Sequence, residues 1–233
     1  MNDETLGTGG NPAAHGIRTG YDRALAEIKD GVLRMGSLVE EQVRDSIAAL
    51  NSHDPEAAVA VIRGDRRVNE LQQRTTALIA GAIATQNPVA RDLRYLLTLD
   101  HVAYEMERMG DHAASVAKQA RRLAPLASMP EAARLSELGV QVAELVRGVT
   151  HALVDADEAA ARRVAALDDE VDAGYRTLFD AVLETMRSDS GKVDAGTAIL
   201  FAAHYLERIG DRVTNIAEDI VFLASGEVED LNP

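Results

Sequence analysis

Glutamate and aspartate four residues apart on a helix share one face, and Glu107-Arg108-Met109-Gly110-Asp111 sets such a pair around an arginine and a glycine. The arrangement returns one hundred residues later as Glu207-Arg208-Ile209-Gly210-Asp211. Like charges at this spacing repel by about 0.2–0.5 kcal/mol, and a glycine inside a helix costs about 1 kcal/mol relative to alanine. Both copies accept both penalties. The glycine leaves no side chain beside the carboxylates, which suits a group that approaches closely, and a cation is the obvious candidate.

A second pair accompanies each copy. Asp65-Arg66-Arg67-Val68-Asn69 aligns with Asp168-Asp169-Glu170-Val171-Asp172, so Asp65 and Asn69, like Asp168 and Asp172, share a face on a neighbouring helix. Short connections make neighbouring helices antiparallel, so these pairs can face the pairs above. That collects Asp65, Asn69, Glu107 and Asp111 in the first half, and Asp168, Asp172, Glu207 and Asp211 in the second. One acidic pair is ordinarily a solvated helix face; its repetition with the same arginine and glycine makes it a candidate metal site. Oxygen ligands favour hard ions, so Mg²⁺, Mn²⁺, Ca²⁺, carboxylate-bound iron and Zn²⁺ are the cations considered.

Other chemistry finds less support. The chain has no cysteine, which removes thiolate metal sites and cysteine nucleophiles. Di-iron oxidases built in helical bundles use Glu-x-x-His, and no glutamate here is followed three residues later by histidine. Phosphate-cradling glycine loops, Gly-x-Ser-x-Gly elbows and His-Glu-x-x-His are missing, and no nucleophile has an evident base, so a non-enzyme is expected. His204 shares the broad face of Glu207 and Asp211, but its counterpart is Tyr104, which favours a structural or surface role. His101 and His112 point away from the acidic stripe. Arg108 and Arg208 are expected to pair with nearby acids on their own helices, as surface ion pairs worth under about 1 kcal/mol.

The elements that carry these groups are helical. Of 233 residues, 46% are hydrophobic and only 3% aromatic, the composition of helices packed through Ala, Leu, Val and Ile, and the fold class expected is all-α. Residues 1–18 read as a disordered tail. Apolar periodicity predicts a helix from Thr19 to about Asn51, a second from the capping Asp54-Pro55 to about Gln86, and a third from Val89 to Leu123. After the break at Pro125 to Pro130 the plan repeats: Glu131 to Val154, Asp157 to Met186, a turn at Ser188 to Gly191, and Asp194 to Ala224, with Gly226 as terminator. Two tandem three-helix bundles, 19–124 and 130–226, are therefore expected. In the third and last helices Leu99, Val102, Met106, Met109, Ala113 and Val116, and Leu206, Ile209, Val213, Ile216 and Ile220, form the packing sides.

A net charge of −14 argues against nucleic acid and against attraction to anionic lipid. No leader-like start and no run of about 20 apolar residues is visible, so a cytoplasmic protein with no direct membrane insertion is expected.

The duplicated Glu-Arg-(Met/Ile)-Gly-Asp, followed in the second copy by Thr214-Asn215-Ile216-Ala217-Glu218-Asp219, resembles the PhoU family of phosphate-uptake regulators over about Tyr21 to Leu223. The resemblance implies two three-helix bundles, multinuclear metal sites on carboxylates in some members, and negative control of the phosphate-starvation response between a phosphate ABC transporter, through its ATPase subunit, and a sensor histidine kinase. Carried over residue by residue, the metal motif falls on Glu107, Asp111, Glu207 and Asp211, while Asn69 departs from an all-carboxylate pattern. A homodimer is the expected assembly. The alternative class is a metal-storage bundle or metal-dependent enzyme unrelated to phosphate signalling.

Overall fold

The computed structural model describes residues 12–232, with side chains from residue 20. Among the described residues all regular structure is helical: α1 Pro12–Ser52, α2 Pro55–Gly64, α3 Arg66–Gln86, α4 Arg91–Leu123, α5 Glu131–Asp155, α6 Glu158–Ser188 and α7 Val193–Ser225, with a single 3-10 turn at Ser190–Lys192.

The helix limits follow local chemistry. Asp54 caps α2 by accepting from the backbone N–H groups of Glu56 and Ala57, and Pro55 occupies the first turn, where its missing N–H costs nothing. Asn87 ends α3 in the left-handed region at φ 48°, just before Pro88. Asp157 caps α6 through Ala160 N–H, and Gly226 ends α7 at φ 81°.

Three features differ from the sequence expectation. Helix α1 already includes Pro12, so residues 12–18, expected as tail, are helical; the rest of the expected tail, up to residue 11, lies outside the described residues. The helix expected to run unbroken from Pro55 to Gln86 is interrupted beside Gly64, the residue with most backbone freedom, and resumes after Asp65, which itself keeps helical dihedrals. The chain past Gly226, beyond the bound expected for the second unit, also returns to the bundle, with Glu229 and Asn232 bonded to α6 and Leu231 to α7.

Helices α1, α2/α3 and α4 form the first bundle and α5, α6 and α7 the second. The bundles share one continuous core, joined through α1 against α5 and α4 against α7. Their contact is reciprocal. A Cβ added to Gly36 would strike Thr150, and one added to Gly139 would strike Ile47; Gly139 and Thr150 lie 103 residues beyond Gly36 and Ile47, the same step that separates Asp65 from Asp168. The repeats thus meet through an approximate two-fold relation, each giving a glycine to the other's side chain. The packing sides predicted for α4 and α7 are at most 1% exposed. Burying each larger aliphatic there contributes about 1.5–3 kcal/mol, so these two helices are the fixed frame of the site.

Candidate functional site

The space cleared by each motif glycine is filled by a carboxylate from the middle helix. A Cβ on Gly110 would lie 2.9 Å from Asp65 Oδ1, and one on Gly210 would collide with Asp168 Oδ1. The facing of middle-helix and last-helix pairs therefore exists in both halves, and the glycines are what let α3 and α6 bring an acid so close.

In the second half, Asp168 is 1% exposed. Its Oδ2 accepts from Thr214 Oγ1 at 3.2 Å and Asn232 Nδ2 at 3.3 Å, while its Oδ1 is buried without a partner. Burial pushes its carboxyl up to about 6, against the Thr214 hydrogen bond and helped by Asp172 and Asp211. Burial also raises the carboxyls of Glu207, with the Asp211 charge adding to it, and of Asp211, despite Arg208. Arg208 Nη1 donates to Asp211 Oδ2 at 2.7 Å, the ion pair expected within the helix. Glu207 Oε2 is buried and lies 3.3 Å from His204 Nδ1 without hydrogen-bond geometry. Asp172 sits 3.7 Å from Arg176 at the outer edge of the group.

The first half is built differently. Asp65 Oδ2 accepts from Asn69 Nδ2 at 3.2 Å and Oδ1 from Gln42 Nε2 at 3.5 Å, so amides satisfy both oxygens. Burial raises its carboxyl, with Asp111 adding to the effect, and burial with Asp111 likewise raises Glu107. Arg108 stands 3.5 Å from both Glu107 and Asp111 and lies over the Tyr104 ring. Gln42, 4% exposed, joins this group without belonging to either motif; its only signal in the sequence is a glutamine set beside Val39 and Val43 on the buried side of α1. The residue 103 places on is Leu145, which offers Asp168 nothing.

Two further acids on or near the stripes are engaged elsewhere. Asp100 accepts from Thr76 Oγ1 at 2.6 Å, and Glu218 accepts from the Leu231 backbone N–H at 2.9 Å.

Among the described residues, no three His, Asp or Glu side chains converge as a ready-made ligand set. The donor chemistry of the second half nonetheless fits a hard cation. Asp168 Oδ1 and Glu207 Oε2 are buried oxygens lacking partners, and Asp172 and Asp211 stand near enough to raise one carboxyl or the other. Loading requires these side chains to turn toward Asp168. The first half fits less well, because its buried acid is already satisfied by neutral amides.

A family model described as the PhoU domain matches twice, at residues 32–120 and 135–220. The phosphate-specific transport system accessory protein PhoU homolog of Clostridium acetobutylicum is 34% identical over 91% of this chain and 97% of its own length. The homolog of the same name from Caulobacter vibrioides is 36% identical over 89% and 90%. The crystal structure of PhoU from Pseudomonas aeruginosa superposes with a TM-score of 0.86 at 30% identity, covering 89% of this chain and 100% of that one. That of the phosphate transport system regulatory protein PhoU from Streptococcus pneumoniae gives 0.83 at 28%, covering 90% and 99%.

Proposed function

The chain belongs to the PhoU family, and from that premise we propose that it is a non-catalytic accessory protein that links a phosphate ABC transporter to a sensor histidine kinase and restrains the phosphate-starvation response when phosphate is plentiful. The observation that carries this reading is the family match to both repeats, with the paired carboxylates in register in each. The transporter as partner comes from the names of the relatives, accessory proteins of a phosphate-specific transport system. No helix among the described residues is long and apolar enough to cross a membrane, and the net charge is −14, so in this reading attachment runs through protein contacts or bridging cations rather than lipid headgroups.

The second-half group of Asp168, Asp172, Glu207 and Asp211 is the cation site of this proposal, with Mg²⁺, Mn²⁺, Zn²⁺ or ferric iron as candidate ions. A bound ion would supply positive charge to a surface that otherwise repels acidic partners. Asp168 would hold it as the buried anchor, together with Asp172 and with Glu207 and Asp211 of α7. Arg208, already on Asp211, sets the orientation of that carboxylate.

Deleting the gene and following a phosphate-starvation reporter at high phosphate tests the regulatory role. Constitutive expression, restored to repression by the wild-type chain, is the expected result, and an unchanged reporter overturns it. Pull-down of the transporter ATPase subunit and of the kinase at increasing salt tests the docking, which weakens with ionic strength if basic partner patches are used.

A further inference from the structure

Past α7 the chain reverses at Gly226 and runs back along that helix toward the second-half acids. Three contacts hold it. Arg162 on α6 forks onto Glu229, with Nη1 to Oε1 at 2.8 Å and Nη2 to Oε2 at 2.7 Å. The Leu231 backbone N–H donates to Glu218, and the Leu231 side chain packs against the core. Asn232 Nδ2 then reaches Asp168 Oδ2, four residues and one helical turn from Glu218 measured at Thr214, which bonds the same oxygen. The first half has no equivalent, because the chain after α4 continues into α5.

The amide of Asn232 presents the positive end of an N–H dipole to the one acid in this group that is almost fully buried. A cation drawing on Asp168 Oδ2 would compete with that donor. Beyond Asn232 only Leu231 reaches the core; Glu229 and Arg162 are about half and one-third exposed, and Val228 faces water at 90%. Such a segment is easily displaced yet held near its target by its tether, which keeps its effective concentration high.

We infer that residues Glu227–Asn232 form an intramolecular cap on the second-half acid cluster that competes with a divalent cation for Asp168. The inference rests on the reading of that cluster as a cation site. By linkage, whatever factor the cap takes from cation affinity is the factor by which the cation opens the cap.

The test uses Mn²⁺ calorimetry in a Glu107→Gln, Asp111→Asn background, so that only the second half titrates. Four chains are compared: one with the wild-type C-terminus and therefore the intact cap, Asn232→Ala, Arg162→Ala, and a chain ending at Gly226, each checked for helicity by circular dichroism. Hydrogen exchange at the Leu231 N–H is followed in the first. Removing Asn232, releasing the segment through Arg162, or deleting it should each tighten Mn²⁺ binding about fivefold or more, and Mn²⁺ should speed exchange at Leu231. Equal affinities with unchanged exchange overturn the cap and leave the cation site standing. Weaker binding after truncation also overturns it, since the segment would then be a ligand. Absence of Mn²⁺ binding in all four chains overturns the cation site itself and the competition with it.

Discussion

Glu105 and Arg212 meet at 3.2 Å across the seam between α4 and α7, and their counterparts one hundred residues away, Tyr205 and His112, face each other across the same seam with ring centroids 6.0 Å apart. One symmetric contact has become an ion pair at one end and an aromatic stack at the other. Glu105 also accepts from Asn215 Nδ2 at 3.3 Å, and its side chain is 3% exposed. His112 is kept neutral to about pH 4 by burial and by the neighbouring Arg212 and Arg208 charges. The two ends of the seam are therefore not interchangeable, which fixes how the repeats join.

Breaking the pair by removing Arg212 leaves the buried Glu105 carboxylate with only the Asn215 amide and the half-exposed His101 ring, 3.5 Å away, beside it. Arg212→Leu should cost about 3–5 kcal/mol in urea unfolding, and Glu105→Leu combined with Arg212→Leu should recover most of it, because the uncompensated charge is then gone. Equal losses in the single and double variants would show that packing, not charge, holds this end.

Glycine substitutions should separate by what a methyl group meets. Gly81 on α3 has no atom within 4 Å of a new Cβ, so Gly81→Ala should stabilise by about 0.5–1 kcal/mol through helix propensity alone. Gly210→Ala drives a Cβ into buried Asp168 and should destabilise by about 1–3 kcal/mol. Gly110→Ala should fall between, since Asp65 and Gln42 approach less closely. Thermal midpoints of the three variants check the order.

Much of this arrangement was legible in local signals. Asp54-Pro55, Asn87-Pro88 and Gly226 marked helix limits, the apolar faces of α4 and α7 followed a 3.6-residue period, and the repeats indicated that the middle-helix pair could face the last-helix pair in each half, though not that Asp65 and Asp168 fill the space at Gly110 and Gly210. What local pattern could not carry was the long-range pairing. Gln42 reaches Asp65 from a different helix, and Gly36 pairs with Thr150 across the repeats. The return of Asn232 to Asp168 depends on a reversal at Gly226 that reads in sequence only as a helix end. The interruption at Asp65 is one residue wide and leaves the apolar period unbroken, so periodicity passes over it.

His101 gives the seam a pH dependence. Its Nδ1 lies 2.6 Å from Asp219 Oδ2, and that hydrogen bond raises the imidazole pKa above its ordinary value of 6.5, against partial burial and the Arg212 charge and with help from Glu105. A histidine with a raised folded pKa contributes stability that is complete below about pH 6.5 and is lost as pH rises through the folded value. The ring is half exposed, so the contribution is under about 1 kcal/mol. Urea midpoints of the wild-type chain should therefore decline from pH 6 to 9, and His101→Gln should flatten that decline.

Cation loading should begin in the second half. There Asp168 Oδ1 and Glu207 Oε2 have no partners, whereas both oxygens of Asp65 are bonded to amides, so a cation relieves a larger burden at Asp168. Because the Asp168 carboxyl is raised to about 6, the metal-free fold binds more protons than the unfolded chain between roughly pH 4 and 6, and its stability falls as pH rises through that window. Saturating Mn²⁺ favours the ionised carboxylates and should reverse the slope. At about 100 times its dissociation constant a ligand adds about 2.7 kcal/mol, which for a chain of this size corresponds to a rise of about 5–10 °C in thermal midpoint. That rise should disappear in Asp168→Asn and Asp211→Asn and largely survive in Asp111→Asn. If Asp111→Asn abolished it while Asp211→Asn left it intact, the first half would be the loaded one, and the orphan oxygens at Asp168 and Glu207 would need another explanation.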